Sequence, residues 1–427
     1  MHSSNRRANA RLLATVSCAA LFGAAQPAFA QLQTQPALDK IFEEAMQARS
    51  SQEYSDSIKR LQAILAQNPN LGRARAELAV AYYQALNFTA ARAEVTRLLA
   101  DPSTPPNVRL NLQSLLAAIE RDSKPHVFTP FVNMSVGHDT NINVGPGSST
   151  VIASGVALTL APGSTRQASD YLNLQAGLAH RYLTPYSFNL GSLPAALVWQ
   201  SQASIYSIAY NANSAFNLNV LSASTGPLLL AAGKWRLGAP IQLDEISLGG
   251  SHIARYVGVT PVFSTNIGNT EITVDTQYQD RHFNPANSQR NSNYTYLGAN
   301  VGHTLQDGKY FAQAGYRGFR EHASVQRFSN SGTEYFVGGG MRPWAGGTAT
   351  LRFTEKEITY KDVEPVFNVA RDEKEQRVAL NVSHLMNSGY LDKWTISASY
   401  NVIRNKSNVD LYVYDRHQAG VTLGRTF

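Results

Sequence analysis

The C-terminal part of the chain alternates between apolar residues and small or polar residues. The alternation is clearest in the last stretch, which ends on Phe427; there one face at period two carries Ala419, Val421, Leu423 and Phe427. Such a pattern predicts a strand with one apolar and one hydrated face. In a barrel that spans an outer membrane, the apolar face meets lipid, the polar face meets the lumen, and aromatic residues lie at the interfaces. Val421, Leu423 and Phe427 are therefore predicted to form a C-terminal barrel-assembly signal.

The same alternation predicts a transmembrane antiparallel β-barrel of about 14 strands over residues 125–427. The strands are expected to begin near residues 127, 170, 196, 213, 226, 253, 270, 292, 310, 333, 347, 373, 393 and 414. If the first strand runs outward, odd-numbered connections should be the longer ones. The expected connections include a short turn at 224–225 and a long loop at 238–252. Two expected connections break the rule, a long one at 183–195 and a short one at 210–212.

Composition supports a membrane-spanning barrel. Charged residues make up 16% of the 427 residues, against about 25% in a soluble average. No segment of about 20 apolar residues is present, so a chain that crosses a membrane must do so with strands. The net charge is +7, but no basic run or zinc pattern supports nucleic-acid binding.

Residues 1–30 have the features of a secretory signal peptide. A basic start with Arg6, Arg7 and Arg11 precedes an apolar stretch, and Ala28-Phe29-Ala30 provides a small-x-small cleavage site. The chain's one cysteine, Cys18, lies in this leader. A lipoprotein-type use of Cys18 is the weaker alternative, so the mature protein is predicted to contain no disulfide.

Residues 31–124 are predicted to form an all-α tetratricopeptide-like domain. Tyr54 recurs as Phe88, and Leu61 as Val95, each 34 positions on, which is the tetratricopeptide period. Helices are expected near residues 38–50, 54–67, 71–86, 88–100 and 105–121. Stacked repeats of this type bind partners on a concave surface.

Four residues of this domain are candidates for partner binding: Arg75, Tyr82, Tyr83 and Gln84. Tyr82 is expected to be internal to the repeat, which favours a packing role. Tyr83, with Arg75 and Gln84, is expected to face the groove, although packing is an equal alternative.

No catalytic motif is present, so the sequence predicts neither an enzyme nor a cofactor or metal. His138-Asp139 resembles a metal ligand pair, but a turn is the stronger interpretation. A Ser–His pair of His417 with Ser397 or Ser399 is left open.

Arg317, Arg352 and Arg377 are predicted to line the lumen. Inward-facing arginines could select anions or acidic segments. They could equally pair with inward acids such as Glu334.

Two motifs of the barrel resemble those of the surface lipoprotein assembly modulators of Gram-negative bacteria. Residues 137–143, GHDTNIN, are similar to that family's G-x-D-x-N-x-N stretch. Residues 407–416, SNVDLYVYDR, and the closing GRTF are similar to the family's S-N-x-x-x-Y-x-Y-D-R segment and its arginine-aromatic last strand. The resemblance covers nearly the whole mature chain.

The resemblance implies an outer-membrane translocator whose N-terminal domain lies in the periplasm. Such a protein would bind a periplasmic client, a surface lipoprotein or a secreted haem- or metal-scavenging protein, and promote its transfer to the cell surface. Outer-membrane lipid and the barrel-assembly machinery are the other expected partners, and the barrel is expected to be a monomer. A polysaccharide export porin with tetratricopeptide repeats is the alternative, followed by a passive porin or an outer-membrane enzyme.

Overall fold

The computed structural model describes residues 36–190 and 193–427. The predicted signal peptide, 1–30, lies outside these residues. The described chain divides into two compact units. One contains the helices up to Lys124 together with Ser187–Ala196, and the other contains Pro125–Tyr186 and Leu197–Phe427.

The helical unit has five helices over the described residues: α1 Pro36–Ser50, α2 Tyr54–Gln67, α3 Gly72–Gln84, α4 Phe88–Ala100 and α5 Pro106–Asp122. Apolar side chains at spacings of three and four bury one face of each helix, with Leu61 and Ile64 in one core cluster and Val95 and Leu112 in another. The predicted helices are confirmed, and their tetratricopeptide nature stays a prediction. No described helix has the length and apolar character that crossing a membrane requires.

Eighteen strands follow among the described residues. They are β1 His126–Asp139, β2 Thr150–Ala153, β3 Val156–Thr159, β4 Ser169–Leu190, β5 Leu193–Tyr210, β6 Leu218–Ala231, β7 Trp235–Gly238, β8 Ile241–Leu248, β9 Ser251–Val259, β10 Val262–Ile267, β11 Thr270–Phe283, β12 Ser292–Leu305, β13 Tyr310–Ala323, β14 Asn330–Met341, β15 Gly347–Glu364, β16 Val369–Leu385, β17 Trp394–Ser407 and β18 Tyr414–Thr426.

Sixteen of these strands form a closed antiparallel barrel with 14 spanning strands, as predicted. The barrel closes because β1 pairs with both β4 and β18. β7 and β8 are two halves of one spanning strand, interrupted at Ala239-Pro240, and β9 and β10 are likewise interrupted at Thr260-Pro261. Proline cannot donate to a strand ladder, which explains both breaks. The hairpin β2–β3 is separate and lies in the connection between β1 and β4.

The barrel wall alternates between exposed and covered side chains along each strand. On β17 the outward side chains are Trp394, Ile396, Ala398, Tyr400 and Val402. Exposed apolar residues recur on the outside of the other spanning strands, including Leu172, Leu297 and Leu351. An apolar exterior and a polar interior are the pattern of a membrane barrel. We call the end with Pro125 and Phe427 the terminal end, and the opposite end, with residues 140–168, the far end.

Four predicted connections are corrected by the structure. β6 continues through the expected turn at 224–225, and the chain turns instead at residues 232–234, where Gly233 has a φ of +71°. The expected loop at 238–252 is mostly strand; the turn is Gly249-Gly250, with positive φ at both glycines, as a two-residue type I′ hairpin requires. The connection expected at 183–195 is shorter in the structure, because β4 continues to Leu190 and β5 begins at Leu193. The connection expected at 210–212 is longer and covers residues 211–217.

Candidate functional site at the far end of the barrel

A buried ion pair joins the first and last strands at the far end. Arg416 on β18 donates from Nε to both carboxylate oxygens of Asp139 on β1, at 3.0 Å each, and from Nη2 to Oδ2 at 2.5 Å. Gln418 donates to the same carboxylate at 2.9 Å, and the Tyr210 hydroxyl lies 3.5 Å from it. The Asp139 side chain is completely buried. We call these four residues the seam latch, because they connect the two strands whose pairing closes the barrel.

Hydrogen bonds also fix the backbone next to the seam latch. The Asn141 side chain donates to the carbonyl oxygens of Gly145, at 2.8 Å, and Asp415, at 3.2 Å. The Thr140 N–H donates to the His417 carbonyl at 3.0 Å, and the Thr140 hydroxyl accepts from the His417 N–H at 2.9 Å. The two sequence motifs, one in each terminal strand of the barrel, therefore meet in space.

The long connection after β1, residues 140–168, leaves the latch toward the barrel interior. Ile142 is buried and packs in one cluster with Ile208 and Tyr210 of β5. An apolar side chain in this position fixes the start of the connection against the wall.

The middle of the same connection contacts the opposite side of the seam. The Ile152 N–H donates to Asp410 Oδ2 at 3.0 Å, in the connection between β17 and β18. The Ser154 hydroxyl donates to the Val366 carbonyl at 3.2 Å, in the connection between β15 and β16. Residues 140–168 thus reach across the far end from one side of the seam to the other.

The three predicted lumenal arginines face inward, and two of them lie beside acids. Arg317 lies 3.8 Å from both Asp275 and Glu334. Arg377 lies 3.0 Å from Glu375. Pairing with inward acids is therefore the arrangement that the geometry supports for both arginines, and neither stands as an isolated positive charge in the lumen.

Aromatic rings complete the environment of the lumenal cations. The guanidinium of Arg352 lies 3.5 Å from the centre of the Phe336 ring, and that of Arg281 lies 4.0 Å from the Tyr294 ring. Such cation–π contacts are favourable, and more so when desolvated. The same arrangement recurs in the pairs Arg317–Tyr296, Lys356–Phe319 and Arg371–Tyr412. Burial raises the pKa of Tyr412, which lies in the connection between β17 and β18.

The two adjacent tyrosines of α3, Tyr82 and Tyr83, both pack against the helical core, Tyr83 more deeply than Tyr82. Tyr83 is buried in the core cluster, and its hydroxyl donates to Asp122 at 2.6 Å. Tyr82 is half-buried, and its hydroxyl accepts from Gln62 at 2.6 Å. Tyr83 is the internal residue because its position on α3 points toward α4 and α5, whose side chains form that cluster.

The other two partner-binding candidates, Arg75 and Gln84, differ in whether their polar side-chain atoms have hydrogen-bond partners. Arg75 donates to Glu94 at 2.7 Å and to the Pro69 carbonyl at 2.5 Å, so its guanidinium is engaged within the unit. Gln84 is half-buried, and among the described residues its Oε1 atom has no hydrogen-bond partner. A role of these residues in partner binding stays a prediction.

The predicted assembly signal lies on the lipid-facing side of the seam. Val421 is paired in register with Val136, and Leu423 with Met134. The Phe427 N–H donates to the Pro130 carbonyl at 2.9 Å, so the last residue still belongs to the closed ladder.

The structure separates the residues of the possible chemical sites. His417 faces outward and its Nδ1 lies 2.9 Å from the Tyr400 hydroxyl, whereas Ser399 faces inward, so no Ser–His pair forms between them. His138 pairs with Asp170 at 2.7 Å on the outer face, away from the neighbouring Asp139. Within the described part of the chain, no group of three His, Cys, Asp or Glu residues could hold a metal ion.

Sequence reasoning identified the two motifs as structural but not their contact. The available signal was charge: Asp139 in the first strand and Arg416 in the last are complementary, and a closed barrel makes these strands neighbours. Tyr210 carried no comparable signal, because β4 lies between β5 and β1 and the contact of Tyr210 with Asp139 depends on the curvature of the wall.

Comparison with known proteins gives one curated relative, the surface lipoprotein assembly modifier of Pasteurella multocida (strain Pm70). The two are 28% identical over 167 residues, which is 38% of this chain and 31% of that protein. The resemblance to the surface lipoprotein assembly family is confirmed. The match spans less than a third of the relative's length. No family model matches the chain.

Solved structures are similar to this chain only at a low level. OpdK of Pseudomonas aeruginosa, in a structure with vanillate, is 12% identical, with 70% of this chain and 98% of that chain covered and a TM-score of 0.36. OccAB3 of Acinetobacter baumannii is 8% identical, with the same coverage and a TM-score of 0.40. A loop-deletion variant of OmpT from Vibrio cholerae is 6% identical, with 71% and 100% covered and a TM-score of 0.39. Likeness at this level carries no conclusion about function. The barrel geometry itself is that of an outer-membrane protein.

Proposed function

We propose that this protein is an outer-membrane translocator that binds a periplasmic client protein and promotes its transfer to the cell surface. The client is a surface lipoprotein or a secreted haem- or metal-scavenging protein. The helical unit and the terminal end of the barrel lie in the periplasm in this proposal, and the far end faces outward. The protein acts by binding and transfer, without catalysis.

The observation that carries the proposal is the relationship to a surface lipoprotein assembly modifier, in a chain that joins a helical unit to a barrel. A passive porin has no need of a helical unit with two packed cores. A helical stack of this kind is suited to holding a protein partner.

The lumen also favours this proposal over a charge-selective pore. Glu334 lies beside Arg317 and Glu375 beside Arg377, so these carboxylates are neutralised within the wall. A polysaccharide exporter would be expected to present rows of accessible carboxylates, whereas the lumenal Glu334 and Glu375 each lie beside an arginine.

The experiment is a surface-display assay in intact cells. The client is a secreted protein encoded beside this chain's gene, and its exposure is measured by antibody labelling with and without the chain. Deletion of residues 38–122 should leave a folded, heat-modifiable barrel and reduce client exposure to the level of cells lacking the chain. Full client exposure with the deletion variant would refute a role for the helical unit, and loss of the barrel would contradict independent domains.

A further inference from the structure

A groove on the outer surface of the barrel is the strongest unassigned feature. It has a volume of about 730 Å³ and lies over β11 to β15, toward the far end. Hydroxyl groups and small residues line it, including Thr295, Gly318, Ser331, Thr333 and Thr359. The alternation of each strand places these side chains on the exterior, on the same face as the exposed Leu297.

Arg320 is the cation of this groove. It is exposed, and in the described part of the chain no hydrogen bond, ion pair or ring contact engages it. The acid at the groove's edge, Glu357, is instead held by Lys374 at 3.1 Å. Arg255, another outward arginine near the far end, pairs with Glu245. The groove therefore has an available positive charge surrounded by hydroxyl donors.

The apolar exterior continues directly below the groove, toward the terminal end. Tyr316 lies four residues before Arg320 on β13, which is about 14 Å along a strand. Tyr316 and Leu297 are exposed on the same face, as is Val337 on β14. A ligand that fits both features has an anionic head and hydrocarbon chains.

We propose that the groove binds the phosphorylated headgroup of a membrane lipid. Arg320 presents its guanidinium to the phosphate oxygens, a planar and often bidentate contact that is among the stronger hydrogen bonds in proteins. The hydroxyls of Thr295 and Ser331, which flank Arg320 in the paired strands, donate to the remaining oxygens. The acyl chains lie along Leu297 and Tyr316. This site is separate from client binding and goes beyond the proposed translocator function.

Gly318 allows the groove to be filled without straining the barrel. A Cβ atom added at this glycine would meet no other heavy atom within 4 Å. A Gly318→Leu side chain would therefore occupy the groove itself while Arg320 stays in place.

The test measures lipid retention by the full mature chain in detergent micelles, using native mass spectrometry. The probes are phosphatidic acid, diacylglycerol with the same acyl chains, and inorganic phosphate. Wild-type protein should retain phosphatidic acid and neither of the other two. Arg320→Gln and Gly318→Leu should each weaken retention about tenfold, because one removes the charge and the other the space.

Lys406→Gln is the matched control, because Lys406 is an exposed outward cation on β17 that does not line the groove. Each variant is first shown to be a folded, heat-modifiable barrel. Equal retention by wild type and Arg320→Gln overturns the proposal, as does an equal loss in Lys406→Gln, which would indicate diffuse charge attraction. Retention of diacylglycerol or of phosphate alone also overturns it, because neither combines the head and the chains.

Discussion

Replacing Asp139 by Asn should destabilise the closed barrel strongly. The substitution keeps the size of the side chain but removes its charge, and it leaves the Arg416 guanidinium buried without an anionic partner. The Arg416 side chain is only 11% exposed, so water cannot replace the lost carboxylate. Removing one partner of a buried ion pair costs about 3–5 kcal/mol.

The cost should be visible as a shift in the unfolding equilibrium. A loss of about 3 kcal/mol lowers the ratio of folded to unfolded protein by about two orders of magnitude, since about 1.4 kcal/mol corresponds to tenfold. The measurement is urea unfolding of the full chain in lipid vesicles, followed by tryptophan fluorescence. The control is Asp415→Asn, because Asp415 on β18 pairs with Arg404 on β17 at 3.4 Å on the exposed face of the barrel wall. An exposed pair contributes about 0–1 kcal/mol.

A double-mutant cycle measures the interaction energy between Asp139 and Arg416 apart from their other contacts. Asp139→Asn and Arg416→Gln together should cost less than the sum of the two single changes by about 1–3 kcal/mol, because the second change removes the unpaired charge that the first creates. The reasoning is refuted if Asp139→Asn lowers stability no more than Asp415→Asn does. It is also refuted if the stability losses of Asp139→Asn and Arg416→Gln sum to the loss of the double variant.

Two further predictions concern the last residue of the barrel and the helical core. Phe427→Ser should reduce the fraction of chain that reaches the heat-modifiable, membrane-inserted form, since the last strand is the expected docking signal for assembly; unchanged surface levels on semi-native gels would contradict that role. Leu112→Ala should destabilise the helical unit by about 2–5 kcal/mol, because Leu112 is completely buried in its core. Leu110→Ala on the same helix should change stability by less than about 0.5 kcal/mol, because Leu110 is 65% exposed. Thermal melting of the full chain, followed by the helical circular dichroism signal, distinguishes the Leu112→Ala and Leu110→Ala variants.

The sequence predicted those parts of the fold that depend on local periodicity. Helix spacing gave all five described helices, and period-two alternation gave the number of spanning strands, since both follow directly from side-chain geometry. The errors lie in the connections. The turn expected at 224–225 is absent because β6 runs through it, and beyond it the Pro227 carbonyl still accepts from the Ala239 N–H at 3.2 Å. Conversely, the turn at Gly249-Gly250 was hidden inside a longer predicted loop.

The candidate site was harder to predict because its contacts connect distant parts of the chain. Asp139 and Arg416 are 277 positions apart, and their opposite charges do not by themselves single each other out among the chain's many acids and bases. Only closure of the barrel brings them together. The deeper burial of Tyr83 was left open for a related reason, since adjacent helical positions point about 100° apart and a small rotation of α3 decides which of Tyr82 and Tyr83 lies deeper in the core.

The contacts of residues 140–168 suggest how the far end can open while the barrel stays closed. The start of this connection is fixed by buried groups, the Asp139 carboxylate and the Asn141 amide, whose loss would be costly. Its hairpin is held by exposed hydrogen bonds to Asp410 and Val366, which water can replace, and by the buried side chains of Val151 and Ala153, which carry no charge. We therefore expect the hairpin to separate from the connections around residues 366 and 410 long before the seam latch opens. In the proposed translocator, opening of the far end would then begin with movement of the hairpin.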